Sequence, residues 1–163
     1  MATVTLTPDT AQTTHSNRLK GHQPYLAWKT VTGAAAAAEK GSALAAADII
    51  EFLNIPANTI VHWARLYVTT GDTGTTLTMD LGYGSNVDVF TDGASAVAAA
   101  QGAFGALGTN GKINGTTSNL FTAADTLDIV LATESASNDD WVVQVVVCMS
   151  DLSVPTIPNS TFA

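Results

Sequence analysis

Alternation between apolar and polar side chains is the feature that most restricts the fold of this 163-residue chain. In the stretch TTLTMDLGY (residues 75–83), every second residue from Leu77 to Tyr83 is large and apolar, and the residues between them are Thr, Asp and Gly. A period of two residues is typical of a β-strand with one buried face. Helical periodicity is weak throughout, so the sequence predicts a protein built mainly of strands.

Further strands are predicted on both sides of this stretch. Residues 47–56 (ADIIEFLNIP) form a strand that ends at Pro56, because proline lacks the N–H that a sheet ladder needs. In DTLDIVLAT (residues 125–133), Leu127, Ile129 and Leu131 alternate with Asp128 and Val130. The run DDWVVQVVVCMS is apolar on both faces, which predicts a central strand covered on both sides. The remaining predicted strands are residues 57–70, with shorter ones in residues 2–7 and 26–32.

The segments between these strands predict how the strands are joined. TGDTG (residues 70–74) is expected to be a hairpin loop, and residues 134–140 are expected to connect two more strands. Two alanine-rich stretches, residues 33–48 and 93–111, are interrupted by glycines, so we expect long loops with at most a turn or two of helix. Many short strands with Gly-rich joints indicate an all-β fold, an antiparallel β-sandwich or jelly roll.

The two ends of the chain lack this pattern. Residues 8–25 show no alternation, and residues 153–163 contain two prolines, so both ends are expected to be extended arms. The predicted division is an N-terminal arm at residues 1–25, one sandwich domain at residues 26–152 and a tail at residues 153–163. The predicted core residues are Trp63, Leu66, Leu77, Met79, Leu81, Ile129, Leu131, Trp141, Val143 and Val145.

Charge limits the classes of partner. The net charge is −8, which argues against binding to nucleic acid phosphates. Only 12% of residues are charged, and a surface of small neutral residues loses little hydration when another chain covers it. Residues 1–29 carry +2, whereas residues 30–163 carry −10, so a basic arm either docks on an acidic body or is an ordinary solvated terminus. With no apolar run of 18 residues and no signal-peptide pattern, we expect neither a membrane span nor export.

The stretch DLGYGSNVDVFTDGASA (residues 80–96) has the composition of a ligand-binding loop but not the spacing of one. A dinucleotide loop needs a third glycine where Val87 stands, and a calcium loop starting at Asp88 needs Glu where Ala99 stands. A looser calcium site at Asp88 and Asp92 remains open, beside the simpler interpretation that both form turns. We interpret the stretch as a bend at Gly82 and Gly84, a short extended piece and a turn at residues 92–93.

No set of residues predicts catalysis, and no cofactor is expected. His62 lies in a predicted strand and is interpreted as structural, and Cys148 as a small buried hydrophobe. The histidines lack zinc-site spacing, and no nucleophile elbow is present. The three tryptophans, Trp28, Trp63 and Trp141, either anchor the core or, if exposed, stack on sugar rings.

Three motifs carry a resemblance to a known group of proteins. They are D-I-I-E-x-x-x-I-P-A-x-T at residues 48–59, D-x-G…D-x-F-x-D-G within residues 80–93 and T-A-A-D-T-L-D at residues 122–128. Together with their order over residues 44–152, they resemble small virion structural proteins of tailed bacteriophages, especially capsid decoration or cement proteins.

The resemblance implies a non-enzymatic protein that binds the outer capsid surface as a homotrimer, after synthesis in the bacterial host cytoplasm. Its partner would be the major capsid protein, which it would tie to its neighbours, without contacting nucleic acid or membrane. The N-terminal arm carries little of the resemblance, but the division of charge between residues 1–29 and 30–163 leads us to expect that the arm makes the capsid contact, through His15, Arg18, Lys20, His22 and Tyr25. The alternative is a receptor- or carbohydrate-binding module of a virion fibre, which would need exposed aromatic residues.

Overall fold

The computed structural model describes residues 1–6, 12–13, 24–100, 102, 119–134 and 139–152. These residues form ten strands, one α-helix and one 3-10 turn. The strands are β1 Thr3–Thr5, β2 Gln12–Thr13, β3 Tyr25–Thr32, β4 Ile49–Ile55, β5 Thr59–Thr70, β6 Thr78–Tyr83, β7 Asn86–Ser95, β8 Leu120–Phe121, β9 Asp125–Thr133 and β10 Val142–Asp151. The helix, α1, is Gly33–Lys40, and the 3-10 turn is Ala98–Ala100.

Two five-stranded sheets pack face to face. Sheet A has the order β1-β4-β9-β6-β7, and sheet B has the order β2-β3-β10-β5-β8. The antiparallel pairs are nested, because β6 pairs with β7, β5 with β8, β4 with β9 and β3 with β10. Eight strands wrapped in this way are a jelly roll, so the predicted all-β sandwich is confirmed.

The core lies between the sheets and is filled by the inward residue of each alternating pair. Nine of the ten predicted core residues are buried, including Trp141 at 0% exposure. Phe52 and Phe90 add aromatic bulk that the sequence analysis did not single out. Tyr83 of sheet A packs its ring 4.6 Å from that of Phe121 in sheet B. Each large apolar side chain buried in this way stabilises the fold by roughly 1.5–3 kcal/mol.

Trp63 is the predicted core residue that does not lie in the core. Between Cys148 and Met149 the pairing of β10 with β5 shifts register, and His62 is the extra residue in β5. A bulge of this kind places two successive side chains on one side of a sheet. The side chains of His62 and Trp63 therefore both lie half-buried on the outer surface of sheet B, whereas those of Val61 and Ala64 on either side are buried. The prediction that Trp63 lies in the core was therefore wrong.

Most connections cross from one sheet to the other. Residues 71–77 lead from β5 in sheet B to β6 in sheet A, so the hairpin predicted at residues 70–74 was wrong. The sequence pattern of a strand followed by a turn does not show whether the next strand pairs with the first one or belongs to the opposite sheet. Residues 134–140, as predicted, connect two strands, β9 and β10, which lie in different sheets.

The tight hairpin of the jelly roll lies in the stretch that resembled a ligand loop. Gly84 and Ser85 form its turn, and Gly84 has a φ of 50°, which glycine adopts without strain. The bend predicted at Gly84 is thus confirmed, whereas Gly82, where a bend was also predicted, lies inside β6. The turn predicted at residues 92–93 was wrong, because β7 continues through it to Ser95. Instead, β7 has a bulge at this point. Met79 pairs with Ala94 and Leu81 with Thr91, so β7 has one residue more than β6 between these pairs, and Gly93 within the bulge has a φ of 62°.

The first alanine-rich stretch contains a two-turn helix, as the glycine spacing predicted. The Thr32 hydroxyl accepts a hydrogen bond from the Ala35 N–H and caps the N-terminus of α1. Gly41 ends the helix in the left-handed conformation, with a φ of 73°. Most of the second stretch beyond Ala100 lies outside the described residues. Within the described ranges, no helix has the length and apolar character needed to span a bilayer.

Two pieces of the predicted N-terminal arm are sheet strands. Strand β1 pairs in parallel with β4 at the edge of sheet A, and β2 pairs with β3 at the edge of sheet B. Val4 of β1 is buried in the core. The expectation that residues 8–25 stay outside the sheets was wrong for β2. Tyr25, the last residue of that segment, is the first residue of β3. Residues 8–11 and 14–23, and the predicted tail at residues 153–163, lie outside the described residues.

Candidate interaction surfaces

The outer surfaces of the two sheets differ in charge. Sheet A has an outer surface that we call the acidic face, which carries Glu51, Asp80, Asp88, Asp92 and Asp128. Glu51 on β4 lies directly opposite Asp128 on β9. Like charges placed opposite one another on neighbouring strands repel, so this pair does not stabilise the sheet.

Asp128 is the most perturbed carboxyl group of the acidic face. Only 5% of its surface is exposed. Burial, together with the negative charges of Glu51 and Asp125, raises its pKa to about 6, although a hydrogen bond from the Thr126 hydroxyl, 2.7 Å away, opposes the shift. The sequence pattern placed Asp128 on the outward side of β9 but gave no sign of its burial.

Asp80 organises the corner beside the hairpin. Its carboxylate accepts a hydrogen bond of 2.7 Å from the Gly93 N–H, at the bulge of β7. Burial and the charges of Asp92 and Asp88 raise the pKa of Asp80. In the part of the chain that the structure describes, no group of three or more His, Cys, Asp or Glu residues is arranged to hold a metal ion.

Sheet B has an apolar area on its outer surface, which we call the apolar face, beside outward polar residues such as Thr30, Gln144 and Arg65. The apolar face consists of Leu26, Trp28, Ile60, Trp63, Leu120, Val146 and Cys148. Strand pairing aligns Leu26, Cys148 and Trp63 in one row across β3, β10 and β5, and Trp28 lies beside Val146 in the next row. Leu26 and Leu120 are 41% and 39% exposed. Strand β10 is central, as predicted, but its outward side chains are only half-buried rather than fully covered.

The polar groups within this face are paired with each other. The His62 Nε2 atom lies 2.8 Å from the buried Ser150 hydroxyl, so the imidazole has a hydrogen-bond partner on the neighbouring strand. Cys148 is half-buried, and burial raises the pKa of its thiol. A thiol that resists ionisation is a poor nucleophile.

One end of the sandwich contains a cluster of hydrogen-bonded carboxylates. Asp48 is 1% exposed and accepts hydrogen bonds from the N–H groups of Ala2 and Ala45 and from the Lys40 ammonium, which is 2.6 Å away. Burial raises the pKa of Asp48, but these contacts outweigh it and hold the pKa below its ordinary value. The carboxylate thereby joins β1, α1 and the start of β4.

Other acids of this end have different environments. Burial and the nearby charges of Asp139, Asp72 and Asp48 raise the pKa of Glu134 to about 7. Asp140 accepts hydrogen bonds from the N–H and hydroxyl of Thr73, which lower its pKa. These bonds join the β9–β10 connection to the β5–β6 connection.

The residues predicted to contact a capsid are mostly beyond the described part of the chain. His15, Arg18, Lys20 and His22 lie outside it, so their role stays a prediction. Tyr25 is the first residue of β3, pairs with Met149 of β10 and packs against the core. Alternation shows which residues share a side of a strand but not which sides of neighbouring strands align, so the apolar face could not be predicted from the sequence.

Comparisons with known proteins give a match in fold but not in sequence family. The sequence matches no protein-family model and no curated protein. A chain of the cyanophage Pam1 capsid asymmetric unit is similar in structure, with a TM-score of 0.58 and 18% identity over 86% of this chain and 94% of that one. A chain of the capsid of Ralstonia phage GP4 has a TM-score of 0.54 and 19% identity over 90% of both chains. The protein therefore shares its jelly-roll fold with chains of two bacteriophage capsids.

Proposed function

We propose that this protein is a structural, non-enzymatic component of a bacteriophage virion, and specifically a decoration protein on the outer surface of the head. The observation that carries the proposal is the fold it shares, along most of its length, with chains of two phage capsids. Because each alignment spans nine-tenths or more of the matched chain, those chains are close to this one in length. The low share of charged residues supports a life in contact with other chains.

The proposed mechanism relies on many weak contacts. A rigid sandwich, present as a homotrimer, bridges neighbouring major capsid proteins and resists their separation. Each contact is weak, but several contacts per trimer and many trimers per head add up through multivalency. The basic residues of the N-terminal segment, Arg18 and Lys20, meet acidic patches on the shell, with His15, His22 and Tyr25 beside them.

The experiment is co-sedimentation of the purified full chain with heads that lack it. We expect saturable binding and an increase in the temperature at which the heads release DNA, because a bridging protein must be removed before the shell opens. A chain that stays in the supernatant at micromolar concentration would contradict the proposal.

The role of the basic segment needs a substitution rather than a deletion. Removing residues 1–22 would also remove β1 and β2, which complete the sheet edges. We therefore expect Lys20→Glu to weaken binding to heads several-fold, while Lys112→Glu, with the same change of charge, leaves it unchanged. Equal effects of both substitutions would mean that only net charge matters.

A second candidate is a carbohydrate-binding module of a virion fibre, which the outward positions of Trp28 and Trp63 favour. Aromatic rings on a sheet surface can stack on sugars. The check is binding to host-cell surface polysaccharide. Binding that Trp28→Ala and Trp63→Ala abolish, with no binding to heads, would favour this candidate over the first.

A further inference from the structure

The backbone of Ala2 is held on both sides by the residues that begin β4. The Ala2 N–H donates a hydrogen bond to the Oδ1 atom of Asp48, 2.8 Å away, and the Ala2 carbonyl oxygen accepts one of 2.9 Å from the Ile49 N–H. Asp48 is 1% exposed. The nitrogen of Ala2 is therefore fixed against a buried carboxylate, directly before β1 pairs with β4.

The two carboxylate oxygens of Asp48 have different partners. Oδ2 accepts hydrogen bonds from the Lys40 ammonium, 2.6 Å away, and from the Ala45 N–H, 2.8 Å away. Oδ1 accepts the neutral N–H of Ala2. A charged donor binds a carboxylate about twice as strongly as a neutral one. Oδ1 is thus the oxygen at which a charged donor, in place of the Ala2 amide, would add most stability.

The surroundings of Asp48 carry more negative than positive charge. Glu134 interacts with the charges of Asp139, Asp72 and Asp48, and the cation that opposes them is Lys40. Among the described residues, the buried Oε2 atom of Glu134 and the buried Oδ1 atom of Asp139 have no hydrogen-bond partner. A positive charge placed beside Asp48 would offset part of the repulsion between these acids.

Cleavage of one peptide bond would supply this charge. Met1 is 88% exposed, so its side chain adds little to the packing. Hydrolysis of the bond between Met1 and Ala2 consumes one water molecule, leaves a carboxylate on Met1 and turns the Ala2 amide into an amine, which is protonated below about pH 8. The present distance of 2.8 Å already lies in the range of about 2.7–2.9 Å for bonds between a charged nitrogen and a carboxylate.

We propose that the bond between Met1 and Ala2 is a processing site, at which a peptidase hydrolyses the chain and the new α-ammonium of Ala2 forms an ion pair with Asp48. The inference concerns this bond alone and is the same for any residues that precede Met1. It does not depend on the proposed role in a phage head.

The ion pair would secure an edge of sheet A. Strand β1 is three residues long and lies at the end of the sheet order, where short terminal strands open readily. Asp48 would join the processed end of β1 to the start of β4 and, through Lys40, to α1. Processing therefore keeps β1 on β4, whose exposed edge could otherwise pair with a strand of another molecule.

The test compares two chains that differ only by Met1. Each is made behind a removable carrier, and the protease cuts either directly before Met1 or directly before Ala2, so that both chains begin with a free amine. We expect the chain that begins at Ala2 to melt about 2–4 °C higher. Its Ile49 amide, which binds the Ala2 carbonyl oxygen, should exchange with solvent several-fold more slowly in an NMR measurement. Equal melting temperatures or equal exchange rates would overturn the inference.

Two substitutions show whether Asp48 is the partner. Asp48→Asn keeps the size of the side chain and removes its charge, so it should abolish the difference between the two chains. Glu51→Gln is the matched control, because Glu51 also joins β4 to β1, through a hydrogen bond of 3.0 Å from the Thr5 hydroxyl at the far end of β1. The difference should persist in this control. A difference that survives Asp48→Asn, or that both substitutions abolish, would contradict the ion pair.

The pH dependence gives a check on the two unsubstituted chains, in case Asp48→Asn does not fold. A neighbouring carboxylate raises the pKa of an ammonium above its ordinary value of about 8. The higher stability of the chain that begins at Ala2 should therefore be complete below about pH 8 and be lost as the pH rises through the raised pKa. A difference that stays constant up to about pH 10 would contradict the ion pair. The other titratable groups of this end are present in both chains and cancel in the comparison; they are Lys40, Asp48, Asp72, Glu134 and Asp139.

N-terminal sequencing of the chain, isolated from the cells that make it, shows whether the cleavage takes place. We expect Ala2 as the first residue. A chain in which Met1 is still joined to Ala2 would overturn the assignment of the processing site.

Discussion

At the scale of single residues, the most informative side chains are two acids held at unfavourable positions. Asp128 is buried opposite Glu51, and Glu134 is surrounded by Asp139, Asp72 and Asp48. Burial raises the pKa of Asp128 to about 6 and that of Glu134 to about 7. Both groups therefore hold a proton in the folded chain at pH values where the unfolded chain has lost it.

This difference predicts how stability depends on pH. Between about pH 4 and pH 7 the folded chain binds more protons than the unfolded chain, so the free energy of unfolding falls as the pH rises through this window. Asp128→Asn and Glu134→Gln keep the shape and remove the ionisation. We expect each to raise the stability at pH 7.5, Asp128→Asn by about 1 kcal/mol, and to flatten the pH dependence.

The measurement is the thermal midpoint from pH 4 to pH 8 for the native chain and the variants. Asp92→Asn, which removes an exposed charge from the same acidic face, is the matched control and should keep the native slope. A thermal midpoint of the native chain that increases from pH 5 to pH 7.5 would contradict the raised pKa values of Asp128 and Glu134.

At the scale of elements, the β6–β7 hairpin depends on a glycine inside a strand. A Cβ atom on Gly82 would lie 2.0 Å from the Asn86 carbonyl oxygen and 2.4 Å from the Val87 carbonyl carbon. Both are backbone atoms of β7, which is pressed against β6 where its register shifts. The close approach of the two backbones therefore requires the absence of a side chain at this position.

We expect Gly82→Ala to lower the free energy of unfolding by about 2–4 kcal/mol, because the hairpin must open to admit a methyl group. Gly41→Ala is the control, since Gly41 has a positive φ but open space around it. Its cost should be about 1 kcal/mol, from backbone conformation alone. Urea titrations measure the free energy of unfolding of both variants. Equal losses for Gly82→Ala and Gly41→Ala would show that the close approach of β6 and β7 is not the reason why glycine is needed at position 82.

At the scale of the whole molecule, the sequence predicted which stretches are strands better than which strands are neighbours. Leu77, Met79 and Leu81 were placed correctly because burial on one face leaves a period of two in the sequence. The crossing after Thr70 was missed because a hairpin and a change of sheet leave the same pattern. Trp63 was misplaced because a tryptophan in a strand is usually buried in the core, whereas Trp63 lies on the side of β5 opposite to the buried Ala64 and Leu66.

The same limits apply to the candidate surfaces. The apolar face depends on the register that aligns Leu26, Cys148 and Trp63 from three distant segments, and a register is set by tertiary packing. Strand β8 is two residues long, too short for any periodicity, so Leu120 could not be assigned to a face. Charge totals did predict an acidic body, but not that the carboxyl groups would gather on the outer surface of sheet A.

The nested order of strand pairs sets the order in which the chain can fold. Only two residues separate β6 from β7, whereas β3 and β10 join residues 25–32 to residues 142–149. Closing a loop costs more entropy the longer it is, but the cost rises only with the logarithm of length. If the inner pair forms first, each outer pair closes only the small remaining gap, and the polypeptide zips from its middle towards its two ends.

Folding dominated by such distant contacts is expected to take milliseconds to seconds. Leu81→Ala, in the inner hairpin, should mainly slow refolding, whereas Val147→Ala, in the outer pair, should mainly accelerate unfolding. Stopped-flow refolding and unfolding in urea measure the two rates separately. If Val147→Ala slowed refolding and Leu81→Ala accelerated unfolding instead, the outer pair β3–β10 would form before the inner hairpin. A chain of this topology gains its last strand pair only after synthesis has passed residue 150, so it completes folding after most of it has been made.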